Sequence, residues 1–294
     1  MANLKAIRGR IKSVKNTGQI TRAMQLVATS KMKRAQDKAT AGQPYVVLLG
    51  EIFSSLASRI TDLKHPLFEE REVKKRGILV VSTDKGLCGA LNANLFKEII
   101  KLEGDIGYVT VGRKASQFIS RTKRELMADF PVSDKVQYAE VRGIVQYMTE
   151  AYLDGKIDTI EVLYSSFVNT LVQEPLHVPL VPIDDFRKRF EELKSTLNIS
   201  LADTHGDDRE MMFEPSVEGI MEKLPELYLK QCIFQSMLGA KASEHSARMV
   251  AMKAATDNAK KLVGDLTLEY NKARQAAITQ EILEIAAATA SNSD

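Results

Sequence analysis

The sequence contains little cysteine, and the placement of its cysteines excludes a disulfide framework. Cys88 and Cys232 are the only two cysteines in 294 residues, and they form no paired spacing of the kind that binds zinc. We therefore expect a protein of a reducing compartment. A run of about twenty apolar residues, as a membrane span requires, is also lacking, and charged side chains occupy the amino terminus, where a signal peptide is apolar. These absences predict a chain that is neither secreted nor inserted in a membrane.

Proline is absent from both ends of the chain. All eight prolines lie between Pro44 and Pro225, and a proline inside a helix removes a backbone hydrogen bond and clashes with the preceding turn. The stretch after Pro225 has only two glycines, Gly239 and Gly264. Both ends of the sequence therefore predict long helices.

Apolar residues near both ends recur with a seven-residue period, which is typical of a coiled coil. At the carboxyl-terminal end the two predicted series are Met252, Ala259, Leu266, Ala273 and Ala255, Leu262, Ala276, Leu283, with Tyr270 beside an interrupting Glu269. At the amino-terminal end the predicted series is Leu4, Ile7, Ile11, Val14, followed by a shift to Ile20, Met24, Val27, Ala28. A helix over 226–287 would be roughly 90 Å long, against a radius of gyration of about 19 Å for a compact chain of this size. We therefore predict that it protrudes and that the two ends pair as an antiparallel coiled coil.

The middle of the chain alternates between strand-like and helix-like segments. Short β-branched runs at 77–83, 106–112 and 159–165 predict buried strands, and 176–183 predicts a proline-limited edge strand. Helices are predicted near 92–102, 113–124 and 138–154. The predicted fold class is therefore α/β, with a doubly wound, Rossmann-like domain added to the long antiparallel coiled coil. The predicted parts are a coiled-coil helix over 1–60, the α/β domain over 75–194, a loop or foot region over 195–216 and a second coiled-coil helix over 217–288.

Local signatures of catalysis are missing from the sequence. The loop 82–92 bears glycines, but it has neither the lysine-serine/threonine ending of a P-loop nor a G-x-G-x-x-G run. The four histidines, His65, His177, His205 and His245, stand beside no serine or cysteine in a catalytic spacing. We therefore expect no catalytic, cofactor-binding or metal-binding residue. A nucleotide-binding enzyme that uses the α/β domain remains an alternative, since a doubly wound sheet often binds nucleotides.

Positive charge is concentrated at the amino-terminal end. The first 43 residues contain ten basic side chains and a single acid, Asp37, although the whole chain has a net charge of only +3. Such a row of cations is typical of a nucleic-acid binder or of a surface that faces an acidic protein. Because residues 1–43 lack aromatic side chains on which bases could stack, single-strand binding is disfavoured. A basic coiled-coil nucleic-acid binder nevertheless remains a second alternative.

Three long segments resemble the gamma subunit of F-type ATP synthases. Its amino-terminal signature is similar to IRGRIKSVKNTGQITRAMQLVATSKM at 7–32, and its internal motif is similar to STDKGLCGALN at 82–92. Its carboxyl-terminal signature is similar to ASEHSARMVAMKAATDNA at 242–259 and to YNKARQAAITQEI at 270–282. The motifs occur in the family's order and span nearly the whole chain.

The resemblance implies the non-catalytic central-stalk rotor shaft of a proton-translocating ATP synthase. It implies that the helix pair enters a hexamer of alpha and beta subunits, and that the α/β body lies on the c-ring of the membrane sector beside the epsilon subunit. Neither nucleic acid nor direct membrane insertion belongs to this role. The absence of a chloroplast-type cysteine insertion implies the bacterial type, peripheral to the cytoplasmic face of the inner membrane.

The resemblance also implies four partner-contact residues. Met24 corresponds to the methionine that faces the acidic lever segment of a beta subunit. Arg274 and Gln275 match a pair that reaches a polar loop of beta, and the planar guanidinium of arginine can hold a carboxylate by two hydrogen bonds. Glu214 falls where the foot of the shaft meets the polar loops of the ring, although its flanking sequence departs from the common tyrosine-containing form.

Overall fold

The computed structural model describes residues 2–57, 65–69, 71–183, 214 and 216–291. The predicted end helices are confirmed: α1 spans Ala2–Ala57 and α5 spans Val217–Ser291. Both continue through a proline, Pro44 in α1 and Pro225 in α5. The loop predicted over 195–216 lies outside the described residues, apart from Glu214 and Ser216.

The contacts of the chain divide it into two compact units. One unit comprises 1–29 and 248–294, and the other comprises 30–247. Both long helices contribute residues to each unit. Within the described residues, no helix combines the length and the apolar character that crossing a membrane would require.

The second unit contains a five-stranded sheet in the order β3-β2-β1-β4-β5. The strands are β1 (Lys75–Val81), β2 (Asp105–Val111), β3 (Glu125–Phe130), β4 (Thr159–Phe167) and β5 (Gln173–Val181). The first four are mutually parallel, and β5 pairs antiparallel with β4. The helices between them are α2 (Leu91–Lys101), α3 (Arg113–Arg121) and α4 (Tyr138–Leu153), and a short 3-10 helix spans Pro66–Phe68.

Helices cover both faces of this sheet, so the doubly wound fold class is confirmed. Ile78 and Val80 of β1 point to a cluster with Leu95 of α2 and Ile119 of α3. Leu79 and Val81 point to the opposite face, which packs on α4 and on the second-unit parts of α1 and α5. The alternation of neighbouring side chains between faces follows from the strand geometry.

Strand β3 is the element that the sequence analysis missed. Its residues ELMADF do not form a β-branched run, and only partly buried side chains line it, because it lies at the edge of the sheet. The segment has little intrinsic strand propensity. It forms a strand because its backbone pairs with the edge of β2 that β1 leaves free.

In the first unit, α1 and α5 pack antiparallel. A Cβ atom placed on Gly18 would lie 3.3 Å from Cβ of Ala259, and Oγ1 of Thr21 lies 2.8 Å from Oγ1 of Thr256. Moving three residues forward along α1 therefore moves three residues back along α5. This pairing confirms the antiparallel coiled coil.

The residues in this seam differ in part from those predicted. Ile20, Val27 and Leu262 are 60%, 56% and 47% exposed, so these three predicted seam residues face outward. Leu283 is 59% exposed and lies past the end of α1 in this register, so α1 provides no partner for it. The seam of α1 instead keeps its seven-residue spacing through Val14, Thr21 and Ala28, with Gly18 between the first two, and that of α5 passes through Thr256 and Val263. The predicted shift in α1 was wrong because glycine and threonine at the contact positions interrupt the apolar pattern without interrupting the packing.

Candidate functional site

The carboxyl ends of β1 and β4 form the place where a doubly wound sheet usually binds its ligand. Strands β1 and β4 are neighbours at the point where the strand order of the sheet reverses, which is where such sheets form a ligand crevice. Loop 82–90 follows β1 here, and Ser165 lies near the end of β4. A nucleotide site on this domain is therefore expected in this crevice.

Loop 82–90 is held by its own side chains. The Asn92 amide donates to Oγ1 of Thr83 at 2.8 Å and to Sγ of Cys88 at 3.4 Å, and the Thr83 hydroxyl donates to the Lys85 carbonyl at 2.8 Å. Cys88 is only 2% exposed and packs with Leu91. The side chains of Thr83, Cys88 and Asn92 are therefore engaged by groups of this same segment.

Helix α5 fills the crevice itself. Nζ of Lys241 lies 3.0 Å from Oε2 of Glu244, and both residues are buried against Ser82, Thr83 and Ser165. The remaining cavity measures about 10 Å³, enough for one water molecule. Ligand pockets usually need about 300–1,000 Å³. This crevice therefore does not support the alternative of a nucleotide-binding enzyme.

Three of the four histidines have structural partners, and His205 lies outside the described residues. His65 accepts a hydrogen bond from the backbone of Leu67, and burial lowers its pKa. His177 lies 2.5 Å from Oε2 of Glu161, and His245 lies 3.2 Å from Oδ1 of Asp134. In the part of the chain that the structure describes, no group of three His, Cys, Asp or Glu residues could hold a metal ion.

The surface of the helix pair is a further candidate site, and its two helices differ sharply in charge. Residues 1–29 carry six basic side chains and no acid, all six of them exposed: Lys5, Arg8, Arg10, Lys12, Lys15 and Arg22. Residues 248–291 carry six basic and five acidic side chains. One helix of the pair is thus strongly cationic, whereas the other is nearly neutral.

Apolar side chains are exposed on the same unit. On α1 these are Ile20, Leu26 and Val27, and on α5 they are Leu262, Leu268, Ile278, Ile282, Leu283 and Ile285. An exposed apolar surface with charged neighbours is typical of a surface that binds another protein. The first unit therefore presents a surface of the kind that binds another protein, beside a groove of about 340 Å³ between α1 and α5 that Val14, Arg22 and Lys260 help to line.

The four partner-contact residues predicted from the resemblance lie at separate positions. Met24 is half-buried on α1, whereas Arg274 and Gln275 are adjacent and exposed on α5. Because Thr21 faces Thr256, Met24 lies level with residues near 253, and the Arg274 pair lies level with the first turn of α1. Glu214 is exposed before the start of α5. Arg274 and Gln275 are therefore side by side on α5, Met24 is about twenty residues away along the same helix pair, and Glu214 belongs to the other unit.

Sequence reasoning missed the polar contacts that organise the helices. Strict continuation of the seven-residue spacing from Ile7 and Val14 leads to Thr21, so a signal for the Thr21–Thr256 contact was present. For Asp134, which contacts both Lys31 and His245, no sequence signal was available, because the three residues come from distant segments.

Comparisons with known proteins agree with this arrangement. A family model described as ATP synthase matches residues 3–291. The ATP synthase gamma chain of Opitutus terrae is 51% identical over 288 residues, covering 98% of each chain. The ATP synthase gamma chain of Methylacidiphilum infernorum is 45% identical over 295 residues, also covering 98% of each.

Solved structures share the fold. A chain of the Euglena gracilis mitochondrial ATP synthase rotor aligns with a TM-score of 0.61 and 17% identity, covering 94% of this chain and 99% of that one. A chain of the Tetrahymena thermophila mitochondrial ATP synthase central stalk and c-ring aligns with a TM-score of 0.57 and 24% identity, covering 80% and 99%. On the strength of the family match and of the near-full-length identity to these relatives, the chain belongs to the ATP synthase gamma chain family.

Proposed function

We propose that this chain is the non-catalytic central shaft of a proton-translocating F-type ATP synthase. In this role it couples rotation of the membrane c-ring to conformational cycling of the catalytic beta subunits, in the direction of either ATP synthesis or ATP hydrolysis. The observation that carries the proposal is the 51% identity to a gamma chain over 98% of both chains. The filled crevice at the carboxyl ends of β1 and β4 supports it, since a shaft needs no nucleotide site of its own.

The charge difference between the two helices supplies a physical basis for coupling. A shaft can hold three identical catalytic subunits in different states only if it contacts each of them differently. A helix pair with one cationic and one nearly neutral member presents different electrostatic surfaces in different directions. Acidic segments of the surrounding subunits would therefore meet a different potential at each rotation angle.

The proposed partners are the alpha and beta subunits around the helix pair and the epsilon subunit and c-ring around the α/β domain. We assign Met24 to the acidic lever segment of a beta subunit and Arg274 with Gln275 to a polar loop of beta. Glu214 is assigned to the polar loops of the ring. The chain would then be a peripheral protein on the cytoplasmic face of the bacterial inner membrane.

Rotation of the chain within its assembled complex tests this function. Both native cysteines are buried, at 2% exposure each, and burial raises the pKa of the Cys232 thiol to about 12. A single exposed cysteine from Ser120→Cys on α3 can therefore be labelled selectively with a bead after purification from membranes. We expect one copy of the chain with three alpha and three beta chains, and stepwise rotation on ATP addition.

Two results would contradict the proposal. One is a chain that purifies without alpha and beta subunits. The other is an assembled complex that hydrolyses ATP while the bead stays still. Tight, steeply salt-dependent binding of the full chain to DNA or RNA, in place of assembly, would favour the nucleic-acid alternative instead.

A further inference from the structure

The loop between β3 and α4 contacts both long helices through one carboxylate. Oδ2 of Asp134 accepts a hydrogen bond from Nζ of Lys31 on α1 at 2.5 Å. Oδ1 of the same carboxylate lies 3.2 Å from Nε2 of His245 on α5. All three residues belong to the second unit, so Asp134 joins the sheet domain to α1 and α5 at a single point.

The neighbouring residues of the loop add further contacts to the same helices. The Lys135 carbonyl accepts a hydrogen bond from Nζ of Lys38, about two α-helical turns beyond Lys31, at 2.8 Å. Val136 is 2% exposed and belongs to the apolar cluster that contains Leu238 of α5. The loop therefore reaches α1 through polar contacts and α5 through both a polar and an apolar contact.

The loop is itself fixed in place. The Glu140 carboxylate accepts hydrogen bonds from the backbone of Ser133 and Gln137 and from the Ser133 hydroxyl, at 2.7–3.0 Å. Val136 has a φ of +45°, a strained conformation that is rare for a β-branched residue. Such strain persists only where the surroundings impose it. The strained backbone two residues after Asp134 thus shows that the packing around the loop holds it in one conformation.

The electrostatic surroundings keep Asp134 charged. Burial by itself would raise the pKa of Asp134, but the hydrogen bond from Lys31 and the charges of His245, Lys31 and Lys241 together lower it. The carboxylate, rather than the neutral acid, therefore bridges the two helices at neutral pH. His245 is only 3% exposed, so one end of this bridge is shielded from water.

We propose that Asp134 is a torsional brace, a positioning residue that makes the α/β domain and both long helices turn together. This inference rests on the proposed function, because a rotor transmits torque from its domain to its helices. Apolar packing resists separation of surfaces but resists sliding along them less well. Two directional contacts from one carboxylate to two helices resist rotation of either helix relative to the domain.

Torsional stiffness of the assembled rotor tests the brace. With the alpha–beta hexamer immobilised and the bead on Ser120→Cys, the angular variance of the bead at rest measures the stiffness of the chain. We expect Asp134→Asn to raise this variance about twofold, since two of the directional contacts of the loop are weakened, while ATP hydrolysis stays at the parent rate. Asp129→Asn is the matched control, because Asp129 on β3 bonds Thr110 within the sheet, and it should leave the variance unchanged.

Lys31→Met provides a second variant at an exposed position. It should raise the variance by less than Asp134→Asn, because the His245 contact remains. The double variant should match Asp134→Asn alone. An unchanged variance in Asp134→Asn, or an effect of Lys31→Met that adds fully to it, would overturn the brace.

The isolated chain offers a test that does not depend on the rotor function. Urea midpoints of the parent, Asp134→Asn, Lys31→Met and the double variant form a cycle that measures the coupling between the two residues. We expect the double variant to shift the midpoint less than the two single shifts combined. Simple additivity would overturn the brace even if the parent rotates, whereas a parent that fails to rotate would overturn only the proposed function.

Discussion

The hydroxyl oxygens of Thr21 on α1 and Thr256 on α5 lie 2.8 Å apart inside the seam of the helix pair. The Thr21 hydroxyl also lies 3.1 Å from the Gly18 carbonyl, and the Thr256 hydroxyl lies 2.8 Å from the Met252 carbonyl. Whichever hydroxyl donates to the other, the second can donate to a carbonyl of its own helix. Both buried hydroxyls are therefore satisfied, and the contact fixes the register of the two helices.

Replacing one threonine with valine should destabilise the helix pair modestly. We expect Thr21→Val to lower the local opening free energy of amides in residues 10–28 by about 1 kcal/mol, the usual net value of a hydrogen bond. Native-state hydrogen exchange measures this quantity. The double variant Thr21→Val with Thr256→Val should lose less than twice as much, because two apolar side chains of similar shape then pack together. Equal additive losses would show that the hydroxyls do not interact.

Two glycines of α1 should respond differently to alanine. A Cβ on Gly9 meets nothing within 4 Å, whereas one on Gly18 lies 3.3 Å from Cβ of Ala259. Gly9→Ala should therefore stabilise the helix by about 0.5–1 kcal/mol through the lower backbone entropy cost. Gly18→Ala should gain less, since the two helices must separate slightly. Hydrogen exchange of the α1 amides compares the two variants, and an equal gain at both positions would contradict the close packing at Gly18.

Glu161 should make the stability of the α/β domain depend on pH in the acid range. Burial would raise the pKa of Glu161, but hydrogen bonds from Arg76, His177 and Thr159 lower it from 4.5 to about 2. Arg76 binds its two carboxylate oxygens at 2.9 and 2.6 Å. Because the folded-state pKa lies below the unfolded one, this stabilisation is complete above about pH 4.5 and is lost as the pH falls toward 2.

The Glu161→Gln variant tests this linkage. It should lower the free energy of unfolding at neutral pH by about 3–5 kcal/mol, because Arg76 loses its charged partner in a largely buried site. It should also remove part of the loss of stability between pH 4.5 and 2. Urea unfolding over that pH range measures both effects, with Glu125→Gln, at the more exposed pair with Lys75, as the control. If the variant loses as much stability between pH 4.5 and 2 as the parent does, Glu161 is not the source of this pH dependence.

A cation at position 24 should uncouple the rotor. Met24→Lys places an ammonium group opposite the proposed acidic lever, and a hydrogen bond to a charged group is worth about 1.5–3 kcal/mol. Such a contact would hold one rotational state too tightly, so proton pumping per ATP hydrolysed should fall while hydrolysis continues. The measurement is ATP-driven acidification of membrane vesicles beside the hydrolysis rate. Met24→Leu conserves volume and should leave both unchanged, and normal coupling in Met24→Lys would remove Met24 from the contact.

Much of the fold could be predicted from sequence patterns that report burial directly. Strands β1, β2 and β4 are apolar and β-branched because helices cover both of their faces, so 77–83, 106–112 and 159–165 were recognisable. Strand β3 was not, since its edge position leaves its side chains only partly buried and its sequence has no clear period. The prediction of the helix-pair seam failed at Gly18 and Thr21 for a related reason. Small and hydroxyl side chains can pack in a coiled coil without being apolar, so an apolar period does not reveal them.

The candidate site was less accessible to sequence reasoning than the fold. Motifs at 7–32 and 242–282 pointed to a surface for other subunits, but contacts such as Asp134 with Lys31 and His245 join residues that are about one hundred positions apart in the chain. Only the folded topology brings them together. The partner-contact roles of Met24, Arg274, Gln275 and Glu214 stay predictions, because they concern surfaces that meet other chains.

The ion pair of Lys241 and Glu244 occupies the crevice in which a doubly wound sheet usually binds a nucleotide. ATP and ADP surround an ATP synthase at all times, and an open doubly wound domain would take up either of them. Each occupied copy would then differ in shape and charge from an empty one. Because Lys241 and Glu244 of α5 occupy that space, we expect the shape and charge of the shaft to be the same at any cellular concentration of ATP or ADP.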